Sequence, residues 1–169
     1  ARLTIRPELA FAIAPEAVAA FPEQAFVHNL ELALTAAWFA ALEGATEQVA
    51  RWSAITGVDR TDELDAAVAP GGMDAWMVRA MLAPGGPELM LEDAQRSLAQ
   101  HDASWRWSAT AEVGRGAAHL MLGDRAAAMA AFEAAERTHE AHRAAARLAG
   151  RAERASDAIN RHAWAEAER

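Results

Sequence analysis

Cysteine, tyrosine and lysine are absent from the 169 residues. Without cysteine there is neither a disulfide framework nor a thiolate metal site. Without lysine all 16 basic residues are arginine, a bias that points to a GC-rich genome more than to a chemistry. No apolar run reaches the roughly 18 residues that would span a bilayer, and no secretory signal pattern is present, so a cytoplasmic protein without membrane contact is expected. The formal net charge is −8. Affinity for a phosphate backbone comes largely from clustered cations, so this segment is not expected to bind nucleic acid directly. Catalytic signatures are missing as well. Serines 53, 97, 104, 108 and 156 lack a G-x-S-x-G elbow, and the carboxylates scatter along helix surfaces. The expectation is a non-catalytic protein with no cofactor; an enzyme of unrecognised type ranks behind every other reading.

What is present is alanine and helical period. Hydrophobic residues make up 53% of the chain. Every periodic segment repeats near 3.6 residues and none alternates with period two, which predicts an all-α fold. The stretch Gly116 to Glu136 reads GAAHLMLGDRAAAMAAFEAAE. Gly123 can end one helix in the left-handed conformation, and Asp124 can accept from the first free N–H groups of the next. Ala109, Val113, Gly116, Ala117 and Leu120 share one helical face; Ala128, Phe132 and Ala135 share another. A close antiparallel hairpin follows, with small residues placed around the Phe132 ring.

Two further hairpins are expected. In the first, Gly44 makes the turn, Thr46 caps the second helix, and Ala37 and Val49 take the small positions. In the other, Pro84-Gly85-Gly86-Pro87 separates two amphipathic segments, and Ala94 and Leu98 start the packing face of the later one. The turns at Gly44, Gly85 and Gly123 lie 41 and 38 residues apart. Prolines 7, 15 and 22 cut the start of the chain into short pieces, and the stretch Thr56 to Gly72, with a short helix over Asp62 to Ala69, reads as the most mobile internal segment. The resulting organisation is short helical segments over 1–25, three hairpins over 26–138, and a C-terminal helix over 139–169. In that last helix Ala144, Leu148, Ala152, Ala155 and Ile159 form an apolar stripe suited to capping an α-solenoid. A start at Ala1 and an end in a polar helix fit a piece of a longer protein.

Gly116, Ala128, Phe132 and Ala135, set around Gly123-Asp124, resemble the packing positions of the tetratricopeptide repeat, with Arg115, His119 and Glu140 standing where that repeat has leucine, an aromatic and proline. With the degenerate hairpins and Trp105 ahead of the last pair, residues 26 to 138 look like the helical-repeat region of large ATP-dependent LuxR-type transcriptional regulators, the group of the bacterial maltose-regulon activator. The resemblance implies a region that receives a small-molecule inducer or an inhibitory protein, beside separate ATPase and DNA-binding modules. Neither a phosphate loop nor a basic recognition helix occurs in these residues. A free-standing scaffold or adaptor of the same repeats is the alternative.

First helices of stacked hairpins line the concave side of a solenoid. They supply Trp38, then Trp76 with the stripe Met73, Met77 and Met81, then Arg106 and Trp107. Indole faces, thioethers and a guanidinium suit a peptide segment or a small inducer. Each also has a packing explanation, since such stripes are what any buried helix carries. Trp105 and Trp107, two apart on a helix, should face differently, leaving one more exposed. His139 and His142 around Glu140 are the one local cluster with metal-ligand spacing, and without a third ligand no metal is expected. His119 reads as a packed histidine. Arg143, Arg147, Arg151, Arg154 and Arg161 share a face of the last helix and read as solvated surface, paired in part with Glu140, Glu153 and Asp157.

Overall fold

The computed structural model describes residues 21–60, 74–101, 105, 107–137 and 144–161. Among them are eight helices and no strand: α1 (Glu23–Val27), α2 (Leu30–Leu42), α3 (Thr46–Thr56), α4 (Ala75–Leu82), α5 (Gly86–Gln100), α6 (Ser108–Met121), α7 (Arg125–Glu136) and α8 (Ala144–Asn160). The fold is therefore all-α. The proposed piece over Asp62 to Ala69, the prolines at 7 and 15, and the His139–His142 cluster lie outside the described residues. The chain divides into two compact units, Ala1–Pro84 and Gly85–Arg169. The division falls within the Pro-Gly-Gly-Pro stretch. There the left-handed residues are Ala83 (φ 47°) and Gly86 (φ 82°) rather than Gly85, and Ala83 closes α4 while Gly86 opens α5.

The first unit is organised around α2, against which α1, α3 and α4 pack. Its sequence LELALTAAWFAAL is apolar except for Glu31 and Thr35, and Leu32, Ala33, Leu34, Ala36, Ala37, Trp38 and Ala40 are buried. Asn29 caps it, its side chain accepting from the Leu32 N–H at 3.0 Å. On α3, Trp52 lies against Phe26 of α1 with ring centroids 4.3 Å apart.

In the second unit each helix packs on its successor, α5 on α6, α6 on α7 and α7 on α8, and α6 also meets α8. Helix α6 carries two opposite buried faces, Ala109 with Gly116 and Ala111 with Gly114 and Ala118. Gly116 lies against Phe132: a Cβ there would stand 2.6 Å from Cδ1 and 2.8 Å from Cζ of the ring, and closest of all to Cε1. The glycine is thus obligatory as long as that ring stays where it is.

The turns α2–α3 and α6–α7 are the same motif. In the first, Gly44 (φ 68°) follows a last helical turn closed by Ala45 N–H donating to Ala40 O at 2.8 Å; in the second, Gly123 (φ 82°) follows one closed by Asp124 N–H donating to His119 O at 2.9 Å. This six-residue bond with a left-handed glycine is the Schellman pattern. One difference corrects the expectation for Thr46. The residue after Gly123 is Asp124, whose carboxylate accepts from Ala127 N–H at 3.0 Å, whereas the residue after Gly44 is Ala45, which has no oxygen to offer. Thr46 comes one position too late and is the first helical residue, not the cap.

Helix α8 is turned over relative to the sequence expectation. Gly150 and Ala158 are buried, and a Cβ on Gly150 would come 3.3 Å from the Phe132 carbonyl oxygen. Arg154, on that same side, reaches Glu136 at 2.9 Å and Glu133 at 3.8 Å on α7. Ala152 is exposed, Ala155 half-buried and Ile159 exposed. The side carrying Gly150 and Arg154 holds the contact with α7, while Ala152 and Ile159 of the expected apolar stripe are exposed and Ala155 is half-buried. The cause is backbone approach: glycine and alanine let two helices close, and the long arginine then bridges over the seam.

Candidate functional site

Of the seven residues singled out as ligand-facing, Met73 and Arg106 lie outside the described residues. Trp38, Trp76, Met77 and Met81 belong to the first unit and Trp107 to the second. Met77 is 0% exposed, so its thioether is interior and not a groove wall; Trp38 (9%) and Trp107 (8%) are also buried. Trp76 and Met81 are half-buried, the more exposed members of the described part of this set. Trp105 and Trp107 are both buried, which corrects the expectation that one is more exposed. The reason is local: α6 begins at Ser108, so helical geometry does not govern the pair, and Trp105 instead stacks on His101 with centroids 4.0 Å apart and planes 11° apart.

Helix α4 brings together groups of unusual polarity for an interior. Asp74 at its N-cap is buried and accepts from Met77 N–H at 2.7 Å. Arg79 is buried too, and its Nη1 donates to the Arg60 carbonyl oxygen at 3.0 Å, tying α4 to the end of the stretch that follows α3. Among the described residues of this unit, three side-chain polar atoms are buried without a hydrogen-bond partner: Trp38 Nε1 on α2, Ser53 Oγ on α3 and Trp76 Nε1 on α4. Whether those N–H groups find a partner depends on tertiary surroundings and is not readable from a local sequence pattern.

In the second unit the polar residues line up along helices. Asp93 and Ser97 on α5 are fully buried, one turn apart, with His101 one turn further. On α6, Ser108, Glu112, Arg115 and His119 fall on one stripe between the two apolar faces. Glu112 lies 2.7 Å from Arg115, and His119 Nδ1 lies 4.0 Å from the Asp124 carboxylate. Burial pushes the Glu112 carboxyl above the ordinary carboxylate range, against the lowering pull of Arg115 and Arg137. The two positions of α6 noted as departures from the repeat pattern, Arg115 and His119, are thus parts of one half-buried polar seam. His119 is half-buried, and Arg154 pairs with α7 rather than with Glu153 of its own helix. No group of three or more His, Asp or Glu side chains that could hold a metal ion occurs among the described residues, and no described helix is long and apolar enough to cross a membrane.

No protein-family model, no curated protein and no solved structure matches the chain.

Proposed function

We propose that the chain is a non-catalytic binding module built of tetratricopeptide-like helical hairpins, and that it serves as the sensor or protein-interaction region of a LuxR-type transcriptional regulator. The observation that carries the repeat reading is the shared turn. Gly44 and Gly123 close α2 and α6 with the same backbone bonds, and Ala37 and Gly116 occupy the same position ahead of them. Supporting it, the order of packing in the second unit, with neighbours in sequence in contact and α6 also touching α8, is how a solenoid grows. The ligand is a peptide segment or a small inducer, met first by Trp76 and Met81.

The regulator reading is tested by sequencing the coding region that flanks residues 1–169. The expected result is an upstream ATPase module with a phosphate loop and a downstream helix–turn–helix. A reading frame that contains neither makes the protein a free-standing adaptor of the same repeats and overturns the regulator assignment.

A further inference from the structure

Among the described residues with a positive φ, Gly44, Gly57, Gly86 and Gly123 are glycine, and Ala83 (φ 47°, ψ 43°) alone carries a Cβ. A left-handed alanine is disfavoured about tenfold against the ordinary backbone regions, because its Cβ crowds the carbonyl oxygen that follows. The next residue is Pro84. The ring of a proline drives the residue before it toward extended backbone, with ψ at about 120–160°. Two local forces therefore push Ala83 the same way, out of the conformation it occupies. The end of α4 does not oppose them. Its closing bond runs from the Ala83 N–H to Arg79 O at 2.9 Å, and that N–H lies ahead of the φ and ψ of Ala83, so the bond is kept whether Ala83 is left-handed or extended.

The elements on either side are anchored. Arg79, 1% exposed, holds α4 inside the first unit through Nη1 and the Arg60 carbonyl oxygen at 3.0 Å, and α5 packs on α6 inside the second. The boundary between the units falls between Pro84 and Gly85. Since the proline ring locks its own φ, the soft dihedrals at this boundary are those of Ala83 and Gly85 and the ψ of Pro84. Strained residues persist where the surrounding structure holds them, and they collect at switch points.

We propose that Ala83–Pro84 is a two-position hinge between the units, with Ala83 left-handed in one position, extended in the other, and α4 capped in both. Passing between them takes the ψ of Ala83 from 43° to about 140°, and no helix has to break. The turns after α2 and α6 place glycine at the left-handed residue and so carry no such bias. A binding module with this joint offers a partner two states to select between.

The chain has no cysteine, so a pair can be introduced for spin labels with nothing else to label. Gln48→Cys on α3 and Gln95→Cys on α5 are exposed positions, one in each unit; Gln95→Cys with Ala130→Cys lies within the second unit and is the control. Pulsed dipolar spectroscopy on the whole chain should resolve two distances for the first pair and one for the control. Ala83→Asn, which tolerates the left-handed region, should raise the ratio of left-handed to extended position about fivefold, and the β-branched Ala83→Val should lower it about tenfold. Pro84→Ala removes the push toward extended backbone and should act in the direction of Ala83→Asn. Circular dichroism should show helicity retained in each. The proposal is overturned if the first pair gives one distance common to wild type and all three variants. It is equally overturned if Ala83→Val loses helicity, because the left-handed residue is then a fixed requirement of α4 and not one of two positions.

Discussion

Replacing Gly116 by alanine adds one methyl group to the most closely packed point of the second unit. Judged from sequence alone the change should help, because glycine inside a helix costs about 1 kcal/mol relative to alanine. The structure reverses the sign. The new Cβ would lie 2.6 Å from Cδ1 and 2.8 Å from Cζ of Phe132, where carbon atoms in contact keep roughly 3.5–4.0 Å. The ring is 0% exposed and cannot swing out, so it or the α7 backbone must shift by about 1 Å. Overpacking of this kind costs about 1–3 kcal/mol, and after the propensity gain a net loss of about 1 kcal/mol remains. For a unit of this size that lowers Tm by roughly 4–8 °C. Gly116→Leu should lose more. The decisive comparison is made in a Phe132→Ala background, itself destabilised by about 3–5 kcal/mol. With the ring gone, Gly116→Ala should become stabilising by about 0.5–1 kcal/mol. Urea unfolding, with hydrogen exchange of α6 and α7 amides to localise the effect, measures all four corners of the cycle. If Gly116→Ala has the same effect with and without the ring, the contact does not govern this position.

Three other outcomes are expected. Asp124→Ala should cost about 1 kcal/mol through loss of its cap on Ala127 N–H, whereas Thr46→Ala, at a position that caps nothing, should stay within about 0.5 kcal/mol by the same denaturation assay. Glu112 binds its proton more readily folded than unfolded, so its contribution to stability is fully present below its ordinary pKa of 4.5 and is lost as pH rises through the higher folded value; unfolding free energies of wild type and Glu112→Gln, measured from pH 4 to 8, should diverge in the variant's favour as pH rises, and parallel curves would refute the assignment. On α8, Arg154→Ala should cost about 0.5–1 kcal/mol, less at high salt, while Ile159→Ser should stay within about 0.5 kcal/mol; a larger loss at Ile159 would mean that the helix packs by its apolar stripe after all.

The hairpin α6–α7 was legible because its signals are local: Gly123 for a positive φ, Asp124 for a cap, and Gly116 and Phe132 at matching heights. Helix α8 was misread for a physical reason. It has two apolar faces, and residue size favours the stripe that carries Leu148 and Ile159 over the one with Gly150 and Ala158, although small residues are what permit the closest approach of backbones. Thr46 failed by one residue, a difference invisible until the turn's hydrogen bonds are known. Trp38, Trp76 and Trp107 were found as conspicuous residues, but their depth depends on the packing of α1, α3 and α4 around α2 and on α6 starting at Ser108. The buried Asp74, Arg79, Asp93 and Ser97 leave no trace in a local pattern, because what makes a polar group tolerable inside is its distant neighbours.

The order of packing in the second unit also sets a timetable. Because α6, α7 and α8 each rest on the helix just before them, almost every contact closes a short loop, and proteins dominated by such local contacts fold within microseconds to milliseconds. Synthesis proceeds at only about 5–20 residues per second. Each helix after α5 therefore finds its support already standing when it is released, and the unit assembles in the order in which it is made.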